Sequence, residues 1–308
     1  MILEYKIKPN DENKTVKDIL KNKLNISNRL ITKLKLNNKI FMDDKNTKIN
    51  DIVSGHIKVT VNIDFEEEDN TIPQEGKIEI LYEDEYFLAV NKPADMVVHP
   101  CSYHLENTLA NYVKYYLANN RKIRPINRID NGTSGIVLFA KNEYIQEAFK
   151  NLKEKPIKEY IAITYGLFDK KEGTISYPIA RKADSIIERE VNIEAGSEAI
   201  THYEVIKEKV IFNTPFSILK VLLETGRTHQ IRVHMSHIGH SLVGDTLYTS
   251  KKINEILGAN KALYDMVPKR QALHAYRLFF KHPILKHNVE IFAPLPDDLN
   301  KIIENFNI

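Results

Sequence analysis

The 308-residue chain is poor in several features, and each shortage excludes something. It has a single cysteine, Cys101, which rules out an internal disulfide framework and any all-cysteine metal site. No run of about 18 apolar residues occurs, so a membrane span is not expected. The opening residues, MILEYKIKPNDENK, lack the basic-then-apolar pattern of a secretory signal, and the cytoplasm is the expected location. The net charge is only +3, which gives no overall bias toward a polyanionic partner. What is present is ordinary for a soluble globular protein: 43% hydrophobic and 28% charged residues, enough for a sizeable core. The length suits roughly two domains.

The distribution of charge says more than its sum. Residues 1–60 carry 13 Lys and Arg against 7 Asp and Glu, and DFEEEDN at 64–70 is acidic. A basic segment beside an acidic connector points to contact between the amino-terminal part and nucleic acid. A lysine-rich surface inherited from an AT-rich genome explains the same surplus. Within this segment Val16, Ile19, Leu20 and Leu24, then Leu30, Ile31 and Leu34, recur at helical spacing. Ser27 stands where an N-cap of the second helix belongs. Short strands are expected at 39–42 and 57–63. Residues 1–68 form one unit, 69–76 a linker ending TIPQEG, and 77–308 a second domain.

In the second domain the richest stretch is Arg124–Asn142, RPINRIDNGTSGIVLFAKN. Asp130 lies between an apolar segment and a glycine-containing turn, and Ile136–Ala140 behind it read as a buried strand. Arg128, Thr133 and Ser134 crowd the same corner. Strands are expected at 78–82, 87–91, 159–165, 200–206, 218–223 and 230–234, and helices at 105–117 and 143–153. Strands dominate and helices interrupt irregularly, which argues for an α+β domain on a mixed, mostly antiparallel sheet. In KEYIAITYG (158–166), Tyr160, Ala162 and Thr164 share one strand face. Taken alone, Tyr160 reads as a half-buried strand tyrosine and Arg232 as a charge at a strand edge. His229, His234, His237 and His240 invite a zinc reading, yet their spacing matches no HExxH helix.

These stretches together resemble the pseudouridine synthase family that modifies large-subunit ribosomal RNA and some tRNAs. The family pattern HRLDxxTSG falls on 127–135, KxYxAxxxG on 158–166, and GRTHQIRxH with GDxLY on 226–248. The segment NKPADMVVHP (91–100) and RQALHAYRLFFKHP (270–283) fit further family motifs. The resemblance spans most of residues 77–295. It implies Asp130 as the catalytic carboxylate, with Tyr160 and Arg232 beside it. A tyrosine there can stack on an unstacked uracil and reach a proton on the base. Arg232 would keep a buried Asp130 ionised and oriented, and its loss would leave a charge costing roughly 3–5 kcal/mol. Arg128 would contact RNA where the target base leaves its stack. The chemistry implied needs neither cofactor nor metal.

The amino-terminal unit resembles the S-four RNA-binding domain, a small α/β module that often precedes this catalytic domain. That likeness implies Ser27, Arg29, Lys33 and Lys35 near its RNA-facing side. Two positions depart from the family. Asp95 replaces a turn glycine, and Asn127 replaces the usual histidine, which asparagine can match in hydrogen bonding but never in charge. The expected protein is a monomeric RNA pseudouridine synthase, acting on ribosomal RNA or on tRNA. A non-catalytic RNA-binding or ribosome assembly factor and a histidine-metal hydrolase are the competing classes.

Overall fold

A computed structural model describes residues 1–65, 67, 69–101, 104–118 and 122–306. Strands β1 (Ile2–Lys6), β2 (Ile40–Met42), β3 (Lys45–Asn46) and β4 (Lys58–Asn62) form a sheet in the order β1-β4-β2-β3. Helices α1 (Val16–Asn22) and α2 (Asn28–Leu36) pack on it with the residues that their spacing singled out. Val16, Ile19 and Leu20 on α1, and Leu30, Ile31 and Leu34 on α2, are buried with Ile40, Val59 and Val61. A capping box starts α1: the Thr15 hydroxyl accepts from the Asp18 N–H at 3.2 Å, and the Asp18 carboxylate accepts from the Thr15 N–H at 3.1 Å. Ser27 caps α2 as expected, accepting from the Leu30 N–H at 3.2 Å.

The described residues of the acidic connector have no regular secondary structure, and two of its acids, Glu67 and Asp69, are packed down. Glu67 accepts from Arg124 at 2.6 Å and from Lys33 at 3.0 Å. Asp69 accepts from the backbone N–H groups of Thr71 and Ile123, both at 3.1 Å, and pairs with Lys114 at 3.1 Å. Charge that would keep a free linker solvated here meets cations from both sides, which ties the two units together.

The second unit is an α+β domain. Its strands are β5 (Glu79–Glu83), β6 (Phe87–Lys92), β7 (Arg124–Pro125), β8 (Ser134–Ala140), β9 (Ile157–Tyr165), β10 (Glu172–Ser176), β11 (Ile179–Arg181), β12 (Arg189–Val191), β13 (Ile200–Ile211), β14 (Thr214–Leu223), β15 (Leu273–Lys281) and β16 (Asn288–Phe292). Strands β11 and β12 pair as a separate hairpin. The main sheet runs β10-β13-β14-β9-β15-β8-β6-β5, with β7 beside β8 and β16 beside β15. Among the described residues its pairs are antiparallel except β8 with β15, which run parallel. Helices α3 (Leu109–Leu117), α4 (Glu143–Lys150), α5 (Gln230–His237), α6 (Lys251–Ala259), α7 (Lys261–Met266) and α8 (Asp297–Glu304) complete it. None of the described helices is long and apolar enough to cross a membrane.

Two features of this sheet set up the site. Strand β15 lies between β8 and β9, so Ala275 faces Gly135 on one side and Tyr160 on the other. A Cβ at Gly135 (φ +110°) would come within 2.3 Å of the Ala275 carbonyl oxygen, so this close approach needs glycine. The alternation in β9 holds: Tyr160 and Ala162 join one core, while Ile161 and Ile163 join another on the opposite face.

One expected strand is corrected. Residues 230–234 open helix α5 instead. Ile231, Val233 and Met235 alternate with polar residues, which imitates a strand. All of residues 230–235 are buried, however, so no solvent face fixes a period. The polar residues are instead satisfied one by one. Gln230 accepts from the Arg227 N–H at 3.0 Å and donates to the Ile200 carbonyl at 2.9 Å.

Candidate active site

Asp130 sits on the loop that joins β7 to β8, and that loop is fastened along its length. Asn127 acts as a clamp onto β8. Its amide donates to the Ile136 carbonyl at 2.9 Å, and its side-chain oxygen accepts from the Leu138 N–H at 2.8 Å. The carboxamide thus imitates a peptide unit and adds a rung to the strand edge. Beyond the aspartate, Lys92 donates to the Asn131 carbonyl at 2.9 Å and Arg270 to the Gly132 carbonyl at 3.0 Å. Thr133 accepts from Gln271 at 3.1 Å. The Asp130 carbonyl accepts from the Thr133 N–H at 3.0 Å, which closes the turn.

The two hydroxyls next to Asp130 therefore serve the scaffold. Ser134 lies 2.8 Å from Nδ1 of His274, whose Nε2 lies 3.2 Å from the Ala293 carbonyl. A carbonyl can only accept, so Nε2 carries the proton and Ser134 donates to Nδ1. Burial pushes His274 down to about 4, which keeps this neutral arrangement. Lys92 is fully buried and donates to three carbonyls, of Pro93, Met96 and Asn131, at 2.7, 2.7 and 2.9 Å. Burial pushes it down to about 7, against the pull of Asp130 and Asp95. Asp95, the residue in place of the turn glycine, takes φ +60°, the left-handed conformation that aspartate tolerates better than most residues.

The cleft in front of this loop has a volume of about 560 Å³, the size of a small-ligand site. Its walls come from residues 97–101 after β6, the 125–130 segment with Thr133, Lys158 and Tyr160 of β9, the 226–232 turn into α5, and Leu223 and Leu273 of β14 and β15. Tyr160 is 7% exposed. Burial first, and the charge of Asp130 second, push its hydroxyl well above the usual phenol value, so it stays protonated. A β-bulge in β15 between Ala275 and Arg277 lies directly opposite it. Arg128 also lines the cleft and is exposed, as its expected part in meeting RNA requires.

Arg232 reaches Asp130, though its main partner is another residue. Its Nη1 is 3.4 Å from the Asp130 carboxylate. Its Nε and Nη2 make a two-pronged contact with Asp245, at 2.7 and 2.9 Å. The Asp245 side chain is completely buried and also accepts from the Leu247 and Tyr248 N–H groups at 3.0 and 3.3 Å. Burial would lower Arg232, but the bonds to Asp245 more than offset it and its pKa is raised. The expected role thus shifts: Arg232 neutralises a buried Asp245 and offers Asp130 its remaining edge. Asp245 is the partner of Arg232 that motif reading passed over, although the GDxLY signature contains it. Gly244 before it has φ +74°, and a Cβ there would meet the Arg270 and Pro268 carbonyls at 2.2 and 2.4 Å. Tyr248 lies under the Arg232 guanidinium at 5.0 Å and meets Nδ1 of His229 at 2.8 Å.

A family model described as RNA pseudouridylate synthase matches residues 86–237, which includes Asp130, Tyr160 and Arg232. The chain is 33% identical to "Uncharacterized RNA pseudouridine synthase YhcT" of Bacillus subtilis (strain 168), over 99% of this chain and 97% of that one. It is 36% identical to "Ribosomal large subunit pseudouridine synthase D" of Escherichia coli (strain K12), over 82% and 77%. The chain belongs to the RNA pseudouridylate synthase family. Among solved structures, "Human RNA Pseudouridylate Synthase Domain Containing 1" aligns with a TM-score of 0.57 and 27% identity, over 75% of this chain and 87% of that one. The protein is accordingly an RNA pseudouridine synthase, an isomerase whose substrate is uridine in RNA.

Within this family member the remaining sequence candidates take separate positions. The four histidines do not converge. His234 lies 2.9 Å from both the Thr201 hydroxyl and the Tyr177 carbonyl, His237 packs edge-on against Tyr177, and His240 stacks on Phe168 at 3.8 Å. Among the described residues no group of three or more His, Cys, Asp or Glu could hold a metal ion. In the amino-terminal unit Ser27 is occupied by its cap, and Lys33 sits between Glu67 and Glu143. In this structure the Lys33 ammonium pairs with acids at the seam between the units. Arg29 is largely exposed with its Nε 3.5 Å from Glu143, and Lys35 is exposed.

Proposed function

We propose that this enzyme isomerises uridine in large-subunit ribosomal RNA, with Asp130 as the carboxylate that acts at the ribose. The observation that supports the reading is the meeting of Asp130, Tyr160 and Arg232 at one cleft of about 560 Å³. In the reaction the N1–C1′ bond breaks, the base turns, and C5 bonds to C1′. A proton leaves C5 and one is gained at N1, so the product is an isomer. A carboxylate at the anomeric carbon suits this, as it does in glycoside hydrolysis, where a second carboxylate is needed to deal with water. Attack on C1′ and removal of the C2′ proton are the two routes open to Asp130. Tyr160 stacks on the base as a neutral phenol, and Arg232 steadies the carboxylate while Asp245 holds Arg232.

The base must leave its stack, at a cost of a few kcal/mol, which favours targets in loops and bulges. Arg128 at the mouth of the cleft meets the RNA there. The amino-terminal unit is read as an S-four-like RNA tether, presenting Arg29 and Lys35 and raising the local RNA concentration. The ribosomal target follows the named activity of the Escherichia coli relative. The enzyme is read as a cytoplasmic monomer.

The test is to incubate the protein with protein-free large-subunit ribosomal RNA and with tRNA transcripts, then map carbodiimide-reactive pseudouridine. Modification confined to the ribosomal transcript supports the reading. Modification of tRNA alone replaces its target. RNA binding with no pseudouridine in either transcript leaves a non-catalytic factor.

A further inference from the structure

Lys158 stands out among the lysines withdrawn from solvent. Lys92 donates to three carbonyls, and Lys114 pairs with Asp69. Lys158 lines the cleft, is half-buried, and its side chain has no ion-pair or hydrogen-bond partner among the described residues. Burial lowers its pKa, with no carboxylate acting to restore it. The strand explains its position. Lys158 precedes Tyr160 by two residues on the same face of β9, a separation of roughly 6.6 Å along the strand. It also lies one residue beyond the last pairing with β14, Glu159 with Leu222, where the sheet edge opens.

An unpaired, half-buried cation is a standing cost to the free protein. A ligand that supplies the missing negative charge removes that cost on binding. The same cleft carries Asp130, which repels any phosphate brought toward it. With the base on Tyr160 and the ribose at Asp130, the phosphate is the charged part left to place, and Lys158 is a half-buried cation of the cleft deeper than the exposed Arg128 and Arg227. We propose that Lys158 is the contact for a backbone phosphate of the uridine drawn into the cleft. This rests on the reading of the cleft as the uridine site. Lys158 then acts on binding and leaves the bond-breaking step to Asp130.

The test compares wild type, Lys158→Met and Lys158→Arg. Three quantities are read: thermal stability, the salt dependence of binding to a single-stranded uridine-containing RNA oligonucleotide, and steady-state kinetics on the large-subunit transcript. Methionine keeps the aliphatic stem and removes the charge. The expected result is an unchanged or higher Tm and KM raised about 10-fold with kcat within about 3-fold, from loss of one charged phosphate contact. The slope of log K against log salt should be flatter by about 0.7. Arginine should keep the slope of the wild type. An unchanged slope in Lys158→Met overturns the proposal, and so does a fall in kcat at constant KM. A lower Tm with unchanged binding would make Lys158 a structural residue. If wild type forms no pseudouridine in ribosomal or tRNA transcripts, the activity reading fails. The oligonucleotide slope still decides Lys158 in that case.

Discussion

Replacing Arg232 with methionine should cost far more stability than any change at Asp130, because the deeper carboxylate is Asp245. The Asp245 side chain is 0% exposed, and without Arg232 its partners among the described residues are the N–H groups of Leu247 and Tyr248. Breaking such a pair from one side leaves an uncompensated buried charge at about 3–5 kcal/mol. For a domain of this size that lowers Tm by on the order of 10 °C. The Asp130 side chain is 23% exposed and touches Arg232 only at 3.4 Å. Asp130→Asn leaves the Arg232–Asp245 pair intact, so its cost should stay below about 1 kcal/mol. Urea unfolding followed by circular dichroism measures all three: Arg232→Met, Asp245→Ala and Asp130→Asn. The double mutant Arg232→Met/Asp245→Ala should be less destabilised than the sum of the two single changes, by about 2 kcal/mol or more. Equal losses for Asp130→Asn and Asp245→Ala, or additive single changes, would refute the assignment of Arg232's main partner.

Asn127→Ala removes both bonds of the clamp on β8, and the loosened Asp130 loop should lower kcat by about 10–100-fold with little change in KM. Steady-state kinetics on the modified transcript checks this. Stability should fall as pH drops from about 6.5 to about 4, by up to about 3 kcal/mol from His274. The sign follows from its depressed pKa: in that window the unfolded chain binds a proton that the native His274 refuses. The half-buried His99 and His229 and the buried His234 and His282 are also lowered and add in the same direction. Urea unfolding across this range, with His274→Gln flattening the slope, is the measurement. Truncation to residues 69–308 leaves Arg124 and Glu143 to each other at 3.4 Å, so the catalytic domain should keep its fold while RNA binding weakens. Circular dichroism and filter binding at physiological salt read the two effects.

Much of this was legible where local chemistry decides structure. Ser27 reads as a cap from its place before an apolar helical pattern, and it caps. The alternation around Tyr160 reads as a strand with two faces, and both faces are buried in separate cores. Residues 230–235 were illegible because complete burial removes the polar face on which a period depends. Asp245 carried a motif signal but no local reason to matter, since its partner Arg232 lies 13 residues away and only the fold brings them together. The pairing of Lys33 with the connector acid Glu67 was illegible for a related reason. Charge in a sequence reads as solvated until a counter-charge from a distant element meets it, as Arg124 and Glu143 do here. Asn127 was legible as a departure from the family, while its work as a strand rung depended on the position of β8.

The central claim is that one carboxylate, Asp130, performs the chemistry, and a single substitution tests it. Asp130→Asn keeps shape and hydrogen bonding while removing the charge. Pseudouridine should then be absent from a transcript that the wild type modifies, with the Tm and RNA affinity of the variant close to wild type. A fully active Asp130→Asn enzyme would contradict the account.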